Sequence, residues 1–260
     1  MAWLAHEAYC TAIVEETARL RDTLRGSDPG AKVPTCPGWT LHELAAHVGQ
    51  AHRWAEAIVR TRAEEYLPEN QVPDYEAPAG AGRLDSWLAD GAERFAATLR
   101  EAGPELPVWT WARPQEAGFW ARRMVLETLV HRADASLATW SDYHAPAELA
   151  ADAIDEWLEI ITDPLAVEQT PELAELRGHG QTLHLHATDS PDGLVAEWVI
   201  ERGPEAVTWR REHAKGDVAL RAPLTDLLLA FYRRLPLDSD RVQVLGDRAL
   251  LDHWLARTAF

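Results

Sequence analysis

Glu127 and His131 stand four residues apart in the stretch FWARRMVLETLVHRADASLATW, residues 119–140. On a helix this spacing puts their Cβ atoms about 6 Å apart on one face. A carboxylate and an imidazole so placed can reach one divalent metal ion. Buried without such a partner, they would carry a large desolvation cost. Such a pair taken alone is more often a solvated one, so a third ligand matters. His47, on a different helical stretch, supplies it. Two histidines and one carboxylate suit a transition metal such as zinc and leave at least one position open. An open position points to catalysis or ligand capture rather than a structural role. Asp134, one turn beyond His131, either accepts the ring N–H of a histidine ligand or forms an ion pair along the helix face. Arg123 either binds a substrate carboxylate or partners Glu127.

These residues require helices that turn them inward. With Glu127 as reference at 100° per residue, Trp120, Met124, His131 and Ala138 fall within about 60° of it. Arg123 and Asp134 fall within about 40° on the same wheel. No Gly or Pro interrupts 120–140. His47 lies in VPTCPGWTLHELAAHVGQAHRWAEAIVRTR, where Thr40 and Glu43 form a capping box and a helix runs to about residue 62. His47 falls on the inner half of its apolar stripe, His52 on the other edge, and His42 outward. Residues 3–25 and 83–101 carry two further amphipathic helices. The Pro/Gly/acidic segment 63–81 is long for a loop in a compact domain, and such loops often cover a site. Trp109 and Trp111 lie in a second irregular segment. Four helices with long excursions after the second and third read as an antiparallel four-helix bundle.

A fifth helix starts at Pro146, and 163–178 reads as an acidic linker. The period then changes. QTLHLHATD, LVAEWVIERG, AVTWRRE and DVALRA alternate as strands, with Asp192-Gly193 as a hairpin turn. The helix PLTDLLLAFYRRL, the strand RVQVLG and the helix DRALLDHWLART follow. The fold class is therefore multi-domain, α and α+β. Residues 1–162 make the bundle, 163–178 a linker, and 179–260 a smaller α+β domain with an antiparallel sheet. His184 and His186 share one strand face and read as part of a polar surface. Cys36, between Thr35 and Pro37, reads as a packed turn residue.

The chain has 260 residues and a net charge of −17, which excludes nucleic acid and anionic membrane surfaces as partners. No apolar stretch approaches the length of a membrane span, and the N-terminus has no basic region of a signal peptide. The two cysteines, Cys10 and Cys36, form no CxxC pair, so the simplest reading is a reduced, cytoplasmic chain. The 12 tryptophans suggest aromatic anchors in the core or around a pocket.

VPTCPGWTLHELAAHVGQAHRWA (33–55) resembles the N-terminal signature of the mycothiol-dependent maleylpyruvate isomerase family, within the DinB-like bundle superfamily. FWARRMVLETLVHRADA (119–135) resembles its second signature. VALRAPLTDLLLAFYRRLPLDSDRVQVLGDRALLDHWLA (218–256) looks like its C-terminal domain, related to sterol-carrier-type α+β folds. The resemblance implies a metal held by His47, Glu127 and His131, and mycothiol as thiol cofactor or co-substrate. It implies a thiolate nucleophile acting on a small electrophilic metabolite, in an isomerase or an S-transferase. The second signature often carries a histidine where this chain has Leu126, which the wheel puts about 100° from Glu127, off the ligand stripe. Two other readings fit the same scaffold: a hydrolase using metal-bound water, with Asp134 as base, and a non-catalytic metal or small-molecule binding protein.

Overall fold

The computed structural model describes residues 3–258, which divide into two compact units, one up to Tyr143 and the other from His144. The first holds four long helices: α1 (His6–Leu24), α2 (Leu41–Thr61), α3 (Ala81–Ala102) and α4 (Ala117–Thr139). A 3-10 turn at Glu69–Gln71 lies in the excursion between α2 and α3. The expected capping box starts α2: Thr40 Oγ1 accepts from Glu43 N at 3.3 Å, and Thr40 N donates to Glu43 Oε2 at 2.7 Å. Gly103, at φ +73°, ends α3 in a conformation that glycine adopts without a Cβ clash.

The bundle has two helices running each way. Arg21 near the end of α1 pairs with Asp85 near the start of α3, while His6 Nε2 meets Leu99 O at the opposite end. Those two helices are antiparallel. Gly49 and Arg53 on α2 lie against Trp87 and Gly91 on α3, so α2 and α3 run parallel. Residues 62–80 make this possible, because α2 at 1.5 Å per residue is only about 30 Å long and the link can return along it. Helix α4 is buried on nearly every side, even at Arg122, Arg123, Arg132 and Asp134. Arg132 Nε donates to Glu16 Oε2 at 2.7 Å, and its guanidinium lies over the Tyr143 ring.

The second unit begins with α5 (Ala147–Thr162) and two short helices, α6 (Pro164–Gln169) and α7 (Pro171–Ala174). The sequence reading groups the fifth helix with the bundle in residues 1–162; it lies in this unit instead. Its buried Asp155 accepts from Trp198 Nε1 at 2.6 Å and from Arg211 Nη2 at 2.7 Å, which ties it to the sheet. The segment 163–178 is largely helical rather than an open linker. The sheet comprises β1 (Gln181–Ala187), β2 (Glu197–Arg202), β3 (Val207–Arg211), β4 (Val218–Ala222) and β5 (Gln243–Gly246), in the order β3-β2-β1-β4-β5. Helix α8 (Leu224–Phe231) follows β4, and α9 (Arg248–Arg257) follows β5.

The sheet is mixed rather than wholly antiparallel, because β1 and β4 pair in parallel. After the β1-β2-β3 meander the chain returns through 212–217 and starts β4 beside Leu183. Leu183, Leu185, Trp198, Ile200, Val218 and Leu220 bury the core face of the sheet. His184, His186 and Glu197 lie on the other face, since alternate strand residues point opposite ways.

Candidate metal centre

The loop before α2 organises the site. In VPTCPGWT, Val33 N bonds Trp39 O, Cys36 N bonds Val33 O and Trp39 N bonds Cys36 O, and Gly38 turns the chain at φ +90°. This compact turn delivers Thr35, Cys36 and Trp39 to the middle of α4. Thr35 Oγ1 donates to Asp134 Oδ1 at 2.5 Å, and Cys36 Sγ donates to Oδ2 at 3.4 Å. His131 Nδ1 donates to the same Oδ2 at 3.0 Å. Asp134 is fully buried, so a carboxylate that would be costly alone is compensated by three donors.

His47, Glu127 and His131 come together, with one ligand atom of each within 4.8 Å of the others. His47 Nε2 donates to Glu127 Oε1 at 2.8 Å. The His47 and His131 rings meet edge to face at 5.0 Å, and Trp39 packs on both, at 4.9 and 5.9 Å. With Nδ1–H committed to Asp134, the lone pair of a neutral His131 sits on Nε2. Arg123 Nε donates to Glu127 Oε2 at 3.3 Å, and its side chain is 3% exposed. Burial alone would push the Glu127 carboxyl up. The His47 hydrogen bond and the Arg123 charge outweigh it and hold the group well below the usual carboxylate range. Two imidazoles and one ionised carboxylate, with His47 38% exposed on the open side, are a donor set that fits a divalent transition metal.

His52, which the wheel left open, has a different place. It is buried, its Nε2 meets Thr128 Oγ1 at 2.9 Å, and its ring stacks on Phe95. Cys36, His131 and Asp134 also converge closely enough to hold a metal. A metal on Oδ2 there would compete with the hydrogen bonds that this oxygen accepts from Cys36 and His131. Two turns from the triad along α2 and α4, Trp54 and Trp120 meet at 5.1 Å, and Trp109 and Tyr66 join them. The 63–81 excursion and the Trp109 segment are thus fastened to the bundle through aromatic contacts. Trp54 Nε1 donates to Leu67 O at 2.7 Å. A cavity of about 460 Å³ lined by Leu24, His42, Ala45, Leu84 and Asp85 lies on the far side of α2 and touches none of the triad.

Thr35 and Trp39 escaped sequence reasoning although the motif containing them was conspicuous. A hydroxyl that caps a carboxylate 99 positions away leaves no periodic signal.

Two family models match the chain. The mycothiol maleylpyruvate isomerase N-terminal domain matches residues 10–136, and the MDMPI C-terminal domain matches 148–253. The chain belongs to the mycothiol-dependent maleylpyruvate isomerase family. The two matches together account for both units. A crystal structure of a mycothiol-dependent maleylpyruvate isomerase is 18% identical, covers 93% of each chain and superposes with a TM-score of 0.60. A variant of that enzyme with a histidine replaced by alanine gives 16%, 93% and 0.58. At these identities the likeness is one of fold. No curated protein sequence matches the chain. Among the described residues no helix is long and apolar enough to cross a membrane.

Proposed function

We propose that this family member is a metal-dependent, thiol-dependent enzyme acting on a small electrophilic metabolite, as an isomerase or S-transferase with mycothiol as its thiol. The observation that carries the reading is the convergence of His47, Glu127 and His131 beneath Trp39, with one side accessible. When bound, a zinc-like metal and its thiol would supply a nucleophilic sulfur that adds reversibly to an activated C=C bond or stays on the electrophile.

The chain's own residues define the rest. Asp134 keeps the proton on His131 Nδ1 and so presents Nε2 as the donor. Arg123 and His47 keep Glu127 ionised. At 3% exposure Arg123 is better placed to position Glu127 than to meet a substrate carboxylate. Trp39 packs on both histidine rings and so walls one side of the site. The hydrolytic reading is weaker, because Asp134, its intended base, is fully buried and already accepts from Thr35, Cys36 and His131.

The test is metal content by elemental mass spectrometry, paired with a maleylpyruvate isomerisation assay with and without mycothiol. The expected result is turnover that needs both metal and thiol and is lost in His47→Ala and Glu127→Ala together with metal at this site. Turnover by the metal-free protein, or metal at this site that survives both substitutions, would overturn the reading.

A further inference from the structure

The second unit carries a cluster that the proposed reaction does not use. His184 and His186 stand two apart on β1, Glu197 faces His186 from β2, and His213 arrives on the crossover 212–217. One carboxylate oxygen, Glu197 Oε2, receives all three imidazoles. The distances are 3.0 Å to His184 Nε2, 2.7 Å to His186 Nδ1 and 2.6 Å to His213 Nδ1. The rings stand at 79°, 85° and 68° to one another, with centroids 5.5 to 5.8 Å apart. Four donor atoms, three nitrogens and one oxygen, thus lie within 4.8 Å of each other.

We propose that His184, His186, Glu197 and His213 form a second divalent-metal site, separate from the His47 centre, of the zinc type. Charge and direction both favour a cation here. One carboxylate balances at most one imidazolium, so ion pairing does not explain three imidazoles on a single oxygen. A divalent cation uses all four donors. Tetrahedral bonds of about 2.0–2.2 Å would set the donors about 3.4 Å apart, between the 2.6–3.0 Å nitrogen–oxygen distances and the 4.8 Å outer limit of the present cluster. Rings that meet edge to face around one point are disposed radially, as ligands are, rather than stacked.

The backbone is built to bring them there. The crossover passes so close to β1 that a Cβ on Gly216 would lie 2.8 Å from Val218 O and 3.0 Å from His184 N. This close approach seats His213 over the strand pair. Four protein donors leave no open position, so the site is closed and its role is to fasten the crossover to the sheet rather than to bind substrate.

The experiment uses the full chain, stripped with a chelator and titrated with zinc, with metal content read by elemental mass spectrometry. Cobalt substitution reports coordination number through its visible absorption. The His47→Ala/Glu127→Ala double variant removes the bundle centre, so the two sites are judged apart. It is expected to keep one equivalent of zinc and to give the intense bands of four-coordinate cobalt. Adding His213→Ala should weaken that remaining site by at least about 100-fold, since even losing an outer partner of a ligand weakens metal binding by about 10–100-fold. His213 is mostly exposed, so its loss leaves the fold in place, which circular dichroism checks. His184→Ala provides a second ligand variant. A double variant that takes up no zinc, or zinc unaffected by His213→Ala and His184→Ala, would overturn the proposal.

Discussion

Asp134 shows how much of a ligand's behaviour is decided one shell away. Its two oxygens hold Thr35, Cys36 and the Nδ1–H of His131. Asp134→Asn keeps the shape but replaces one acceptor oxygen by an N–H₂ donor, which faces donors already present. Metal affinity at the bundle centre should then fall about 10–100-fold, measured by competition with a chelating dye. An unchanged affinity would mean that Asp134 does not orient His131. His52 tests burial without metal chemistry. Its environment pushes its pKa down to about 4, chiefly through desolvation, whereas in the unfolded chain it is about 6.5. Between those values the unfolded state binds more protons, so stability is whole above about pH 6.5 and is lost as pH falls toward about 4. The loss attributable to His52 should be on the order of 3 kcal/mol. Urea midpoints of the metal-free protein from about pH 7 to about pH 4.5, beside His52→Gln, isolate that share. Parallel curves for the two proteins would refute it.

At the scale of elements, α2 and α3 approach through a glycine. A Cβ on Gly49 would fall 2.0 Å from the Trp87 ring, and Trp87 is anchored by its Nε1 hydrogen bond to Asp74 O. Gly49→Ala should therefore destabilise the bundle by about 1–3 kcal/mol. Gly82, also helical but facing open space, should respond with the opposite sign: Gly82→Ala should stabilise by about 0.4–1 kcal/mol. Chemical denaturation of the two variants checks both signs, and equal shifts would show that helix propensity, not the Trp87 contact, governs Gly49. The same contrast explains what the sequence disclosed. The box of Thr40 and Glu43 and the inward faces carrying His47, Glu127 and His131 follow local period, which a helix imposes on its own residues. The attachment of α5 through Asp155, the parallel pairing of β1 with β4 and the arrival of His213 are set by long-range contacts. HLH in β1 therefore reads as a polar face until Glu197 and the crossover are placed on it.

For the whole molecule, two compact units with a candidate metal centre in each make separate unfolding transitions the natural expectation. The bundle closes its core around buried charges such as Glu16 with Arg132, while the second unit packs its apolar sheet face. A metal that binds only the folded state stabilises the unit that holds it, by about 2.7 kcal/mol when free metal is 100 times its dissociation constant. Calorimetry of the stripped protein with added zinc should raise both transitions. Glu127→Ala should abolish the zinc response of one transition and leave the other, and His213→Ala should do the reverse. A single response lost with Glu127→Ala alone would confine the metal to the bundle. A single transition, shifted by either substitution, would mean that the two units unfold as one.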